Sequence, residues 1–426
     1  MNVQETLRST AQITRAFGET WIRGRVLDDP FSRLYLREGM LDPYPVHRRL
    51  RAAGPVTRSS AGVWLITGHR IGGEVLRDPR FGVRAEPYRI GEPGPLEYRA
   101  GAEHDFSIMH IDPPDHGRLR RIAAPAFSPK MMRHYRPRIE QVTHRLLDAA
   151  QRKGGFDLMA DIASPLPITV ISDLIGVPDG DFERFAEYGR VVARSIDGVR
   201  SPRHAQELAR ATRDLYALFA ELVPERAGSD GDDVITRLAG ALDEGRLTPA
   251  ELLSLTWVLL IAGFETTVNL IGNGMLALLA NPGQWRLLCE RPDLAPKVVE
   301  EVLRYDSPAQ ATIRIANEHV WLAGQRIARG DQVFVLMGAA GRDPAVYPDP
   351  ERFDITREDP APHIAFGSGP HYCIGAPLAR LEGEVFFRAV AERMPDLVRR
   401  GLPTRRRMMS LRGLAHFPLW HPAPRT

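Results

Sequence analysis

The amino-acid sequence predicts a mainly α-helical fold with small antiparallel β-sheets, formed as a single domain over residues 1–426. One observation behind this prediction is a helical segment of about 32 residues that follows Thr248. A second is that the strand-like stretches are short and scattered, at residues 55–67, 320–338 and 412–420. A third is the lack of repeats, low-complexity tracts and long Gly/Ser linkers in the sequence. About the first 40 residues are expected to form an irregular lead segment.

The long helix has clear start and stop signals. The tetrapeptide TPAE at residues 248–251 is a capping box with proline at the first helical position. The tripeptide NPG at residues 281–283 is a stop signal, which gives a helix of roughly 48 Å, long enough to cross the molecule. Residues 252–264 carry no charge, and this run is too short for a membrane span but long enough for a buried helix. We therefore expect a central core helix.

The composition limits the classes of protein and of partner. A net charge of +3 over 426 residues gives no basis for binding to nucleic acid or to a membrane surface. The first residues lack the basic and apolar stretches of an export signal, and no window is apolar enough to span a bilayer, so a cytoplasmic location is expected. Only two cysteines occur, Cys289 and Cys373, which excludes a disulfide framework. Cys289 is interpreted as an inert residue of the core.

The middle of the long helix contains polar residues that its apolar surroundings do not explain. The hexapeptide AGFETT at residues 262–267 places Glu265 and two threonines in a buried helix, where unsatisfied polar groups are costly. One interpretation is structural: Gly263 is a close-packing point, and Thr266 bonds to a carbonyl one turn earlier. The other is functional: Gly263 admits a flat ligand close to the backbone, while Glu265 and Thr266 handle protons beside it.

Cys373 lies in a glycine-rich loop, FGSGPHYCIG at residues 366–375, just before a helix predicted to open at Ala376. Backbone N–H groups and the positive end of a helix dipole favour the thiolate at such a position, which suits a ligand or a nucleophile. His371 is poorly placed to act as the base of a nucleophilic pair. A zinc site would need further ligands nearby, and the sequence has no CxxC or paired-His spacing. A single thiolate with one open side suits a haem iron.

This loop resembles the haem-binding signature of the cytochrome P450 superfamily, and the resemblance extends from about Pro43 to Trp420. It implies the P450 fold with one haem-containing domain and Cys373 as the iron ligand. It also implies that the AGFETT hexapeptide is the oxygen-activation segment, with Glu265 and Thr266 as the catalytic acid and alcohol. The cofactor contacts implied in these two segments are Ala262, Gly263, Phe366, Gly367, His371, Cys373 and Gly375.

Other segments match the family in the expected order. Glu301 and Arg304, in EVLR, resemble the ExxR element, and Arg352, in PERF, resembles the arginine that joins its ion-pair network. On its own this is an i, i+3 pair that any solvated helix could carry. His116, Arg120 and Arg314 match residues that face the haem propionates, as charge partners of a buried dianion should. One departure is Gly341, where an asparagine is more usual, and it puts only a local turn contact in doubt.

The resemblance implies an O₂-dependent haem-thiolate monooxygenase with haem b as cofactor, acting on a bulky, largely apolar small molecule such as a polyketide, macrolide or terpenoid. Electrons would come from NAD(P)H through a separate ferredoxin and ferredoxin reductase, and we expect a monomer. Arginines near Arg118, Arg121 and Arg380 would dock the ferredoxin.

A haem-thiolate peroxygenase or isomerase and a non-catalytic haem protein that binds a ligand remain alternatives. The candidate pocket residues are Leu259, Ala262, Ala309, Ile313 and Met409, with loops at residues 84–106, 191–201 and 408–411.

Overall fold

The helix predicted after Thr248 runs from Pro249 to Ala280 in the computed structural model of this chain. Both bonds of the capping box are present: the Glu251 amide donates to Thr248 Oγ1 at 3.3 Å, and the Thr248 amide donates to Glu251 Oε2 at 2.8 Å. By length and composition this helix could cross a membrane, but 82% of its most apolar window is buried inside the protein. It is therefore a core helix, as the sequence indicates.

The remaining helices pack around this central one. The structure describes residues 15, 18–84, 108–177, 182–193, 201–226, 233–358 and 360–422. A helical segment at residues 18–25 precedes the numbered elements, and the short helices α1–α3 follow it. The helices are α1 Pro30–Leu34, α2 Arg37–Leu41, α3 Tyr44–Ala53, α4 His69–Arg77, α5 Asp115–Ala123, α6 Pro129–Lys153, α7 Pro165–Ile175, α8 Phe182–Ala193, α9 Pro202–Arg226, α10 Val234–Asp243, α11 Pro249–Ala280, α12 Pro282–Glu290, α13 Ala295–Tyr305, α14 Met337–Ala340 and α15 Ala376–Arg393.

The main hydrophobic core lies where α11 meets its neighbours. α11 packs against α7 on one side and contacts α8, α13 and α15, while α15 also packs against α6 and α13. Phe264, Phe386 and Phe387 are fully buried in this core. A run of apolar residues all round α11 is what a helix enclosed by other helices requires. The helix that opens after Cys373 is thereby fixed against the central helix.

The strands form small sheets beside this helical body. A five-stranded sheet has the order β1-β2-β8-β5-β3, and a smaller one has the order β4-β12-β9. β2 and β8 run parallel, which differs from the antiparallel sheets that we expected, while the other pairs are antiparallel. Both strands are nearly fully buried, as is typical of parallel pairs. The strands are β1 Val56–Arg58, β2 Trp64–Ile66, β3 Phe81–Gly82, β4 Gly155–Asp157, β5 Thr312–Ala316, β6 Val320–Leu322, β7 Gln325–Ile327, β8 Gln332–Val335, β9 Val398–Arg399, β10 Thr404–Arg405, β11 Leu414–His416 and β12 Pro418–Trp420.

A segment near the C-terminal end of the chain links the sheets to the central helix. β10 and β11 pair antiparallel, and the chain between them forms a loop closed by a bond from the Arg406 amide to the Gly413 carbonyl at 3.1 Å. We call residues 405–413 the C-terminal strap. It lies along α11, because the Asn273 side chain of that helix donates to the Arg412 carbonyl at 2.9 Å.

Candidate active site

The loop before α15 holds Cys373 in a fixed position. Its amide donates to the Phe366 carbonyl at 2.9 Å, so the loop closes on itself. Gly367 and Gly369 have φ values of +73° and +69°, a region that residues with a side chain rarely adopt. At Gly369 a Cβ atom would also lie 2.5 Å from the Leu76 carbonyl oxygen of α4. The two glycines are therefore required for the loop to turn and to pack against α4.

The surroundings of the Cys373 sulfur have opposing effects on the pKa of its thiol. Burial raises the pKa of the Cys373 thiol, while the backbone N–H groups of Gly375 and Ala376 and the charges of Arg120 and Arg380 act to lower it. The N–H groups of the loop and the nearby arginines thus favour the thiolate, and burial of the sulfur opposes it. A metal cation at the sulfur would complete the deprotonation.

The alternatives to haem lose support from the arrangement of the neighbours. The His371 ring stacks on His116, with centroids 4.1 Å apart, and its Nε2 lies 3.7 Å from Asp112 Oδ1, so it is engaged away from Cys373. Among the residues that the structure describes, no group of three or more His, Cys, Asp or Glu side chains could hold a metal ion. A thiolate without protein co-ligands fits an iron whose other ligands come from a porphyrin.

One turn in the middle of α11 is accessible, and we call the volume beside it the open space. Ala262 is exposed and Thr266 is partly exposed, although residues 257–260 and 267–272 of the same helix are buried. The Thr266 hydroxyl donates to the Ala262 carbonyl at 2.7 Å, and Thr267 makes the matching bond to Gly263 at 3.2 Å. The back-bonding expected under the structural interpretation is thus present, but it occurs at the one turn where the helix faces open space.

Gly263 serves packing on its other side. A Cβ atom there would lie 3.0 Å from Cδ1 of Ile171, so the glycine allows α11 and α7 to approach closely. Of the two interpretations of this glycine, the close-packing one matches the direction in which its missing side chain would point. Ala262, one residue earlier, borders the open space instead.

Glu265 lies one residue before Thr266 and is 1% exposed. Its Oε1 forms an ion pair with Arg406 of the C-terminal strap, and its Oε2 has no hydrogen-bond partner among the described residues. Burial raises the pKa of Glu265, while Arg406 and the more distant Arg190 act to lower it. Sequence reasoning placed the carboxyl here but missed Arg406, because no local pattern links two residues 141 positions apart.

A second set of residues presents unsatisfied donors. Arg314 in β5 is 4% exposed and donates only to the Thr312 hydroxyl and the Ile313 carbonyl, with no ion pair to a described carboxylate. Nε2 of His116 is buried without a partner, and burial lowers the pKa of His116 to about 4. A buried arginine and an orphaned ring nitrogen require an anion or an acceptor. These residues fit the propionate edge of a haem.

Arg120 differs from this set. Its guanidinium donates to the carbonyl of Tyr372, next to Cys373, at 2.6 Å. This bond supports the cysteine loop and places a positive charge near the sulfur, while the propionate contact expected of Arg120 stays a prediction. Arg118 also differs from expectation, since it pairs with the buried Glu251 and with Asp115, whereas Arg121 is exposed.

The Glu301–Arg304 pair forms a buried network beneath this region. Arg304 is 2% exposed and binds Glu301 with both Nε and Nη2, at 2.7 and 2.8 Å. The Arg352 side chain was predicted to join this network, and that prediction was wrong. The side chain is 64% exposed and pairs with Asp354. The Arg352 carbonyl accepts from Arg304 instead, and the guanidinium that reaches Glu301 is that of Arg357. Arg357 was missed because the PERF motif ends before it.

The predicted pocket residues divide into three groups. Ile313 is 47% exposed, and Ala309 is partly exposed and forms a β-bridge with Leu411 of the strap, so both lie at an accessible wall. Leu259 is buried in the main core. Met409 is 6% exposed and packs in a separate cluster with Phe31 and other residues of α1 and α3. It also lines a small cavity together with Gln310 and Leu336. The predicted pocket loops at residues 85–106 and 194–200 lie outside the described residues.

Comparisons with known proteins settle the family. The cytochrome P450 family model matches residues 82–393. The chain is a cytochrome P450. The P450 monooxygenase PikC of Streptomyces venezuelae is 43% identical over 365 residues, covering 84% of this chain and 85% of that protein. The 6-deoxyerythronolide B hydroxylase of Saccharopolyspora erythraea is 38% identical over 397 residues, covering 89% and 96%.

A solved structure bears out the fold of this P450. The crystal structure of P450BioI with an acyl carrier protein ligated to hexadec-9Z-enoic acid aligns with a TM-score of 0.84 and 37% identity, over 90% of this chain and 100% of that one. The prediction of a mainly helical P450 fold is confirmed, and the enzyme is a P450 monooxygenase that takes a haem-thiolate cofactor and O₂. Cys373 is the residue that would hold the iron, with Arg314 and His116 at the propionates.

Proposed function

We propose that this P450 hydroxylates or epoxidises a bulky, largely apolar small molecule, with electrons from NAD(P)H through a separate ferredoxin and ferredoxin reductase. The observation that carries the proposal is the adjacent pair of Glu265, which is buried, and Thr266, which lies at the accessible turn in the middle of α11. A buried acid beside a hydroxyl at such a turn can deliver protons to a ligand there. A protein that only bound a ligand would have no use for this pair.

When bound, the haem supplies the reductive activation of O₂. Cys373 would hold the iron, and Arg120 steadies the loop by binding the Tyr372 carbonyl. The Thr266 hydroxyl can leave the Ala262 carbonyl and hold a proton over the open space, because that carbonyl keeps its bond within the helix. Glu265 is one residue away and can resupply this proton from the strap side, where Arg406 is partly exposed.

The size and polarity of the substrate follow from less direct observations. Ala309 and Ile313 are apolar residues at an accessible wall, and the relatives PikC and 6-deoxyerythronolide B hydroxylase support a macrolide or other polyketide substrate. We further propose haem b as the cofactor, one domain over residues 1–426, a monomer, and a cytoplasmic location.

The test is to incubate the haem-loaded enzyme with NADPH, a ferredoxin, its reductase and isotopically labelled O₂. Macrolide aglycones, other polyketides and terpenoids that shift the haem absorption band would serve as substrates. We expect a product that carries one labelled oxygen atom and that is absent without the electron donors. Product formed with hydrogen peroxide but not with O₂ and the electron donors would identify a peroxygenase, and conversion without any oxidant would identify an isomerase. Either result would overturn the proposal.

A further inference from the structure

The central helix carries a stripe of buried polar side chains. Glu265, Asn269 and Asn273 follow each other at four-residue spacing, so they lie on one face of α11, and each is 1% exposed. A stripe of this kind inside a core is costly unless another segment satisfies it. The segment that faces it is the C-terminal strap, residues 405–413.

The strap meets all three residues of the stripe. Arg406 forms an ion pair with Glu265. Gly413 lies so close to the Asn269 side chain that any Cβ atom would collide with Oδ1. Asn273 donates to the Arg412 carbonyl at 2.9 Å. The strap therefore contacts α11 at three successive turns. The first of these contacts is with Glu265, the proposed catalytic acid.

The same strap contacts the accessible wall at residues 308–313. The Gln310 amide donates to the Ser410 carbonyl at 2.8 Å, the Arg412 amide donates to the Pro308 carbonyl at 2.7 Å, and Ala309 pairs with Leu411. A molecule that contacts this wall therefore lies against residues that are hydrogen-bonded to the strap. Because a bond between Arg406 and Gly413 closes the strap at its base, the residues that contact the wall and the residue that binds Glu265 belong to one closed loop.

Arg406 is the charge that faces Glu265 directly. Arg190 of α8 is the other cation that acts on this carboxyl, and it does so without a hydrogen bond among the described contacts. One carboxylate oxygen is bound to Arg406 and the other has no partner. A carboxylate held in this way is fixed by one residue, so loss of that residue frees it to move and favours its protonated form.

We propose that Arg406 is a positioning residue that couples occupancy of the substrate pocket to proton delivery. With the pocket empty, Arg406 holds Glu265 on the strap. A substrate that displaces the strap loosens this ion pair and frees the carboxyl to serve Thr266. This inference rests on the proposed function for its last step only, since the link between pocket and ion pair is independent of the reaction.

The coupling is reciprocal, which gives a binding test. If a pocket ligand must loosen the ion pair, then a variant without the pair binds that ligand more tightly. The probe is econazole, a bulky azole that a solved P450 relative at 32% identity binds. In the haem-loaded enzyme, Arg406→Gln and Glu265→Gln should each tighten the dissociation constant of econazole by about fivefold or more. The double variant should bind no more tightly than either single one.

Arg405→Gln is the matched control. Arg405 is the neighbouring strap residue, but its guanidinium faces Asp306 and Asn273 and not Glu265. If Arg405→Gln tightened econazole binding as much as Arg406→Gln, the effect would come from a looser strap and the proposal would fail. Unchanged or weaker binding in Arg406→Gln would also overturn it. Arg406→Lys, which keeps the charge, should restore most of the wild-type affinity.

A second readout is the dependence of the NADPH oxidation rate on pH. Burial already raises the pKa of Glu265, and loss of Arg406 raises it further. The low-pH limb of the rate profile should therefore move to higher pH in Arg406→Gln and stay in place in Arg405→Gln. A limb that did not move would refute the positioning role. If the wild type consumed no NADPH with its redox partners, the proposed function would fail, and the econazole titration would still decide the coupling.

Discussion

Arg357 donates its Nε–H to Oε1 of Glu301 at 3.1 Å, across 56 residues of sequence. Glu301 is 5% exposed and Arg357 only 13%, so the bond is largely shielded from water. The other two nitrogens of the Arg357 guanidinium, Nη1 and Nη2, donate to the carbonyls of Pro348, Asp349 and Arg352. One guanidinium thus joins the Glu301–Arg304 pair to the loop that follows α14.

Arg357→Ala should lower the free energy of unfolding by about 1 to 3 kcal/mol, because it removes a shielded bond to a carboxylate and deprives the Pro348 carbonyl of the donor described for it. Arg352→Ala should change it by less than about 0.5 kcal/mol, because that side chain is mostly exposed. Denaturant unfolding of both variants checks the difference. Equal losses would mean that the Arg352 side chain supports the network after all.

Cys373→Ser should abolish turnover and the red-shifted absorption band of the reduced carbon monoxide complex, because a hydroxyl cannot reproduce the thiolate's electron donation. Cys289→Ser is the control. Cys289 packs at the edge of the main core, and burial raises the pKa of its thiol to about 11, so it is an unreactive residue. We expect its variant to keep the spectrum. Retention of the band in Cys373→Ser would disprove the ligand assignment.

Thr266→Ala should still consume NADPH but should yield about tenfold less product per electron, with hydrogen peroxide released instead, because the last proton is misplaced. Thr267→Ala is a close match, since Thr267 makes the same kind of bond one residue on but is buried away from the open space. It should keep its coupling. If the two variants behaved alike, the role of Thr266 would be helix packing alone. Product and peroxide yields per NADPH distinguish these outcomes.

Gly369→Ala should destabilise the cysteine loop more than Gly367→Ala. Both glycines have positive φ, which costs an alanine roughly 1 to 2 kcal/mol. Only at Gly369 does the added Cβ also collide with backbone, 2.5 Å from the Leu76 oxygen; at Gly367 the nearest atom is 3.6 Å away. The measurement is the haem content of the purified proteins together with their thermal midpoints. Similar haem content in both would show that the loop can move away from α4.

An acidic ferredoxin that docks near the cysteine loop should be sensitive to Arg121. This residue is exposed, so Arg121→Glu should slow reduction of the enzyme by the ferredoxin, and the wild-type rate should fall as salt rises. Arg118→Glu should instead lower stability, because Arg118 is bound to the buried Glu251. Stopped-flow reduction and thermal melts separate the two effects. A rate insensitive to both salt and Arg121→Glu would exclude this face.

The sequence predicted the elements whose signals are local. The capping box and the stop signal place α11 at the bounds that the structure has, and the proline after Ala376 marks the start of α15. The three predicted strand stretches contain β1, β2, β6, β7, β8, β11 and β12, whereas β3, β4, β5, β9 and β10 lie outside them. The parallel pairing of β2 with β8 was also missed, because pairing between distant segments leaves no local trace. Motif positions such as Glu301 and Arg304 were found through the family resemblance.

Partners of the site residues could not be predicted in the same way. Arg120 and Arg352 have the spacing of their motifs, yet their guanidinium groups bind a carbonyl and the carboxylate of Asp354. Arg406 and Arg357 reach the acids of the site from segments without a motif. In each case the long arginine side chain can reach several acceptors, and tertiary packing determines which one it binds. The spacing of residues in a motif carries no information about that packing.

The pairing of β4 with β12 has a consequence for synthesis of the chain. The Phe417 amide donates to Asp157 Oδ1 across 260 residues, and Leu419 pairs with Phe156. A ribosome that adds about 5 to 20 residues per second exposes β4 for many seconds before its partner strand exists. During that interval β4 presents unpaired backbone donors and acceptors to any other nascent chain. Early contact with a chaperone should therefore matter most between emergence of residue 157 and completion of β12.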